Sequence, residues 1–285
     1  MALVPMGDML RAARAEKRAV GAFMIWSYDS ARAIADAAQK LCQPVIFIIG
    51  WRDSCYLGGT GNVRKIAEMV ADSVDVPVVL HADHFQELGH IVEAIDAGYT
   101  SVMIDASRCP FEENVERTCA VVEVAHRAGV SVEAELGRMA GLEDDADVTD
   151  AESFQTDPEE ARRFAERTRV DALAVAFGTV HGAYKAAPRI NVERVRRIAQ
   201  QVAIPLVMHG GSGTPDGAVA QAIRQGIAKI NVATELVTVM GKAFAEVQRQ
   251  EEFSYSVPTL FAPAREACRE LVERKIRLFS GGSSA

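Results

Sequence analysis

Short apolar runs alternate with longer segments of helical periodicity along almost the whole chain. The apolar runs fall at 20–25, 45–49, 78–80, 101–104, 130–134, 172–176, 206–208 and 227–230. Most are nearly continuous in apolar residues, as expected of strands buried on both faces. Between them lie segments with apolar residues at helical spacing, at 30–41, 62–71, 88–96, 112–126, 158–167, 191–201 and 215–224. In 112–126, Val115, Cys119, Val122 and Ala125 share one face. The segment 266–278 predicts a terminal helix, followed by a small polar tail. Strand–helix alternation repeated eight times without a linker predicts one α/β unit over 1–285, a single-domain (β/α)8 barrel closed by a C-terminal helix. A doubly wound sheet is the second reading.

The longest interruption is 138–154, RMAGLEDDADVTDAESF, with six carboxylates and no apolar periodicity. Loops of this length inside a compact domain are usually functional or disordered. This one leaves the end of the fifth strand, on the face where barrel active sites lie. We therefore expect a mobile lid in preference to a merely solvated loop.

Composition narrows the class of protein. The chain has 285 residues, 49% of them hydrophobic, which is enough for a large core. A net charge of −8 without a basic stripe argues against nucleic-acid binding. Five cysteines in no CxxC pair suit a reducing compartment. No run approaches a membrane span, and the first twenty residues do not read as a signal peptide, so a cytoplasmic location is expected.

The candidate chemistry lies at the strand ends. Of six histidines, His84, His181 and His209 occupy the ends of three different strands. A lone histidine there is more often structural, but three converging imidazoles suit a divalent metal, typically zinc with an open position for substrate. The neighbouring ends supply His81, Asp83, Asp105, Ser107, Glu133, Glu135, Gly178, Gly182, Asn231 and Thr234. Six consecutive strands ending in polar or ligand-type residues are hard to explain structurally. His90 and His126 lie on helical patterns and are expected at the surface or an interface. HGGSG, at 209–213, reads as an anion nest leading to a helix N-terminus. INVAT, at 230–234, repeats the logic on the next strand, matching the phosphate site barrels often build after strands seven and eight. The substrate should carry a phosphate.

HADHF, SVMIDAS, VEAELG, DALAVAFGTVHGAY, PLVMHGGSG and KINVATEL together resemble the class II, zinc-dependent ketose-bisphosphate aldolases, which act on fructose or tagatose bisphosphate. The resemblance runs from Gly21 to about Lys275, with the motifs in the family's order. It implies a (β/α)8 barrel that binds one catalytic zinc per subunit through His84, His181 and His209. Asp83 would be the acid/base at the C4 oxygen, and Glu143 in the long loop would move the proton at the carbon beside the carbonyl. Asp105 and Glu135 would hold or orient the metal in a more buried position. Gly182, Gly210, Gly211, Ser212, Asn231, Val232, Ala233 and Thr234 would cradle the phosphate of dihydroxyacetone phosphate, with a monovalent cation nearby. The implied reaction breaks or forms the C3–C4 bond of a phosphorylated ketose through a zinc-stabilised enediolate. The implied assembly is a homodimer or homotetramer.

Two departures concern the far end of the substrate. Met24 stands where the family commonly has a substrate-facing asparagine. Gly50, followed by Trp51 and Arg52, stands where a serine or threonine is common. The aldehyde end is therefore expected to differ from that of fructose 1,6-bisphosphate, either lacking the phosphate or carrying another anion met by Arg52, while Trp51 could equally be packing. Two other functions compete: a metal-dependent sugar-phosphate isomerase or epimerase, and a non-catalytic metabolite-binding barrel. Asp83 with Glu143 favours cleavage over isomerisation, because an isomerase need not address the C4 hydroxyl. The intact ligand set argues against a retired site.

Overall fold

The computed structural model describes residues 3–137, 140–141, 155–182, 190–249 and 256–281. In chain order the strands are β1 (Val20–Met24), β2 (Val45–Gly50), β3 (Val78–Phe85), β4 (Ser101–Ile104), β5 (Ser131–Leu136), β6 (Ala140–Gly141), β7 (Ala172–Val175), β8 (Val180–His181), β9 (Leu206–Met208) and β10 (Ile227–Val232). The helices begin with α1 (Gly7–Ala15), α2 (Tyr28–Lys40), α3 (Trp51–Tyr56), α4 (Thr60–Ala71), α5 (Leu88–Asp96) and α6 (Phe111–Arg127). They continue with α7 (Pro158–Thr168), α8 (Val192–Gln201), α9 (Asp216–Arg224), α10 (Thr234–Gln248) and α11 (Val257–Phe279). Strands β1, β2, β3, β4, β5, β7, β9 and β10 pair in parallel, and β10 returns to β1 to close the barrel. The alternation in the sequence is thus a single-domain (β/α)8 barrel; the doubly wound sheet is excluded because no strand is left at an edge of the closed sheet.

The near-continuous apolar runs follow from two cores, one on each side of the strands. Phe23, Phe47, Leu80, Val132, Leu173, Met208 and Ile230 point outward and pack with helix residues such as Ile34, Val63, Ile91, Phe164 and Ile198. Val20, Ala22, Ile46, Ile48, Val79, Ala172, Ala174 and Val207 point into the lumen. Met6, just before α1, with Leu10 and Ala13 of α1, plugs the lumen from the N-terminal ends of the strands. The plug is tied down by Val4 N–H donating to Val78 O at 2.9 Å and Gly7 N–H donating to Ser131 Oγ at 3.0 Å. Because the lumen is sealed at that end, chemistry is confined to the C-terminal mouth.

Helix starts follow local capping rules. Ser27 accepts from Ser30 N–H in a capping box before α2, Asp157 accepts from Glu159 and Glu160 N–H before α7, and Asn191 accepts from Arg194 N–H before α8. The sequence expectation omitted α1, α3 and α10, and placed the start of the last helix at 266 instead of Val257. On α6 the buried face also takes in Asn114 and Thr118, because Asn114 donates to Glu135 O at 3.0 Å and Thr118 bonds to Asn114. Among the described residues no helix is long and apolar enough to cross a membrane. All five cysteines are free thiols.

Candidate active site

Period-two alternation turns one set of strand residues into the lumen, and near the mouth this set changes from apolar to ionisable. Across the sheet, Gly50 pairs with Asp83, His81 with Ser101, Met103 with Glu133, Glu135 with Ala174, and Ala22 with Asn231. Strand β3 continues to Phe85 instead of stopping at 80, so His81, Asp83 and His84 lie on the strand itself. The β3–β4 register shifts between Ala82 and Phe85, and His84 takes a left-handed backbone with φ of +52°. Such a conformation is unfavourable for a non-glycine residue and marks a constrained site. Here it brings a side chain next to Asp83, which would otherwise point to the opposite face, into the same cluster.

His84 Nδ1 lies 2.8 Å from Asp105 Oδ2. Asp105 is itself held by Ser107, whose N–H and hydroxyl donate to Oδ1 at 3.1 and 2.7 Å. His209 is fully buried, with Nε2 2.9 Å from Glu133 Oε1 and Nδ1 3.1 Å from Glu135 Oε2. The rings of His84 and His209 meet edge to face at 4.5 Å. Ligand atoms of Asp83, His84 and His209 lie within 4.8 Å of one another, as do those of His84, Asp105 and Glu135. His181 ends β8, a strand that pairs with β6 and sets Gly141 opposite His181. The His181 side chain lies outside the described residues, and so does Glu143. The β6–β8 pairing was not foreseen, since neither two-residue strand has a periodic signal, yet it ties the start of the long loop to a proposed ligand strand.

The electrostatics are those of a cation site. Burial disfavours a charged His84, but Asp83, Asp105 and Glu135 outweigh it and push its pKa up to about 10. Burial alone would raise Asp83 and Asp105, yet His84 holds both below the usual carboxylate range, with Lys229 and His209 adding to the effect on Asp83. Lys229 and His209 likewise hold Glu133 down against its burial, so Asp83, Asp105 and Glu133 form an anionic surround for two imidazoles. This donor set fits a divalent cation bound by nitrogen and oxygen. His84 has a carboxylate on Nδ1 and His209 one on each nitrogen, and a carboxylate on a ring nitrogen is what orients metal-ligating histidines.

The glycine-rich turn is built for close approach. Gly210 has φ of +70°, and a Cβ there would fall 2.3 Å from Val180 O. A Cβ on Gly211 would fall 2.6 Å from Asn231 O, which already accepts from Gly211 N–H at 3.0 Å. Ser212 Oγ accepts from Glu235 N–H at 3.2 Å, and Glu235 Oε1 accepts from Gly213 N–H at 3.0 Å. Gly182 has φ of +87°. Asn231 donates to Asp83 at 3.0 Å, and Val232 is buried in the outer core, so only its backbone faces the mouth. Ala233 precedes the first residue of α10, Thr234.

At the far side, Met24 packs against the lumen core at the end of β1. Gly50 caps the short α3, on which Arg52 is exposed. Trp51 is a packing residue: it stacks on His90 at 3.6 Å and meets Phe85 edge-on. His90 is thereby half-buried, and His126 is exposed and pairs with Asp171 at 2.9 Å. Lys229 was missed by the sequence reading. Its signal was a lone lysine in the strand IAKINV, in phase with Asn231.

A closed (β/α)8 barrel with a histidine–carboxylate cluster at its C-terminal mouth defines a metal-binding enzyme of the barrel class. The sequence matches the family described as "Fructose-bisphosphate aldolase class-II" over residues 4–283, and the chain belongs to that family. It is similar to the "Fructose-bisphosphate aldolase" of Staphylococcus epidermidis, at 42% identity over 287 residues covering 100% of both chains. It is 41% identical, at the same coverage, to the "Probable fructose-bisphosphate aldolase" of Bacillus subtilis. Among solved structures, the YdjI aldolase from Escherichia coli K12 superposes with a TM-score of 0.86 and 34% identity, over 98% of this chain and 97% of that one. The family is one of metal-dependent carbon–carbon lyases, which leaves the isomerase and the non-catalytic barrel without support.

Proposed function

We propose that this chain reversibly cleaves the C3–C4 bond of a phosphorylated ketose, giving dihydroxyacetone phosphate and an aldehyde. The cluster of Asp83, His84 and His209 at the barrel mouth is the observation that carries this reading. His84, His209 and His181 would hold one zinc ion, with Asp105 and Glu135 orienting it; cobalt or iron would suit the same donors. A bound divalent metal supplies Lewis-acid stabilisation of the charge that develops beside the ketose carbonyl. Asp83, kept ionised by its neighbours and oriented by Asn231, is suited to take the C4 hydroxyl proton as the bond breaks. Glu143 would return a proton to the carbon.

The phosphate would lie against Gly182, Gly210 to Ser212 and Asn231 to Thr234, with a monovalent cation beside it. Gly211 would contribute shape, since its N–H is engaged by Asn231, and Ser212 a hydroxyl. The whole chain, 1–285, would act as one unit, as a cytoplasmic homodimer or homotetramer.

Met24 and Gly50 offer no polar side chain at the aldehyde end. We therefore expect the second phosphate to be missing or replaced by another anion within reach of Arg52. Steady-state cleavage of fructose 1,6-bisphosphate beside ketose 1-phosphates tests this. Higher kcat/KM on a ketose 1-phosphate is expected; preferential turnover of the bisphosphate would sink the idea.

A further inference from the structure

Directly below the metal cluster, two oppositely charged side chains are sealed in the lumen. Lys229 Nζ lies 2.9 Å from Glu133 Oε2, and both side chains are 0% exposed. The other Glu133 oxygen lies 2.9 Å from His209 Nε2. Lys229 stands one inward position below Asn231 on β10, and Glu133 one inward position below Glu135 on β5. The rest of the lumen is apolar, with Val20 beside Lys229 and Ala172 beside Glu133 on the neighbouring strands.

As a stabilising device this pair makes little sense. Burying two ions is costly, and an apolar pair of similar volume often does as well or better. The geometry makes sense for a metal centre. A carboxylate oxygen at hydrogen-bond distance from a ring nitrogen selects the tautomer and fixes the ring's rotation. Without a cation at Oε2, Glu133 would have reason to turn away from His209.

The same ammonium also blocks a competing site. His81, Asp83 and Glu133 offer ligand atoms within 4.8 Å of one another. His81 Nε2 lies 3.8 Å from Glu133 Oε2, the oxygen that Lys229 holds, and 3.7 Å from Asp83 Oδ1. Lys229 supplies the positive charge this inner group would otherwise draw from a divalent ion.

We propose that Lys229 is a positioning residue for the metal centre. It acts through Glu133 to orient His209, and it keeps a second divalent ion out of the His81–Asp83–Glu133 group. The inference rests on the reading that His84 and His209 hold the catalytic metal.

Cobalt(II) is the probe, because its visible absorption reports ligand geometry independently of turnover. Affinity would be measured by chelator competition and stoichiometry by titration on the full chain. The wild-type protein is expected to bind one ion tightly. Lys229→Met should weaken that site by about 10–100-fold, change its absorption and admit a second equivalent. The double variant Lys229→Met/Glu133→Gln leaves no uncompensated buried charge and so guards against misfolding. It should keep the weakened affinity and altered spectrum but lose the second equivalent. A folded double variant with wild-type affinity and spectrum would overturn the positioning role. Failure of the wild-type protein itself to bind cobalt would instead overturn the metal-site reading, and this proposal with it.

Discussion

Asp83 and His84 are adjacent in sequence, and neighbouring residues on a regular strand face opposite sides of the sheet. Their convergence depends on the register shift after Ala82 and on the left-handed backbone of His84. Once they converge, their roles divide by partner. His84 is anchored by Asp105, whereas Asp83 is held by the neutral amide of Asn231 and stays ionised for the substrate. Asp83→Ala is therefore expected to retain metal, bound through imidazoles, while kcat falls by about 10²–10⁴. Elemental analysis and steady-state rates check both halves, and unimpaired turnover would remove Asp83 from the mechanism. Of the residues at the mouth, the histidines, Asp83 and the glycines were legible because their types are unusual at strand ends. Lys229 was not, since nothing local says that a lysine inside a largely apolar strand points at a glutamate nearly a hundred residues earlier.

Elements differed in how openly the sequence declared them. Barrel strands and most outer helices are strongly periodic, because each must satisfy a core on one or both faces. Helix α1 lacks such a partner in sequence: its target is the lumen formed by eight strands distributed over the next two hundred residues. It nonetheless carries a full burial load, with Met6, Leu10 and Ala13 inaccessible to solvent. Leu10→Ala should cost about 2–5 kcal/mol, read as a lower denaturation midpoint at unchanged m-value. A loss below 1 kcal/mol would mean that the plug is not part of the cooperative unit. Strands β6 and β8 are too short for any pattern; they exist because the loop after β5 and the chain after β7 leave the barrel side by side.

At the scale of the molecule, the barrel and the site draw on different sources of stability. Two apolar cores close the fold, while the mouth gathers carboxylates whose mutual repulsion a divalent ion relieves. Chelation should therefore abolish turnover without unfolding the barrel. Restoring zinc at a hundredfold excess over its Kd should add about 2.7 kcal/mol, or roughly 5–10 °C in Tm. A Tm indifferent to zinc would argue that the ion does not bind the native site. The sequence alone determined the fold class, the family and the identity of the strand-end residues, because hydrophobic period and residue type are local properties. The tertiary structure decided which of those residues meet: the turn of His84 toward Asp105, the seat of His209 between Glu133 and Glu135, the lumen plug and the buried lysine. These depend on strand register and barrel closure, which join residues far apart in the chain and leave no mark in any short window of it.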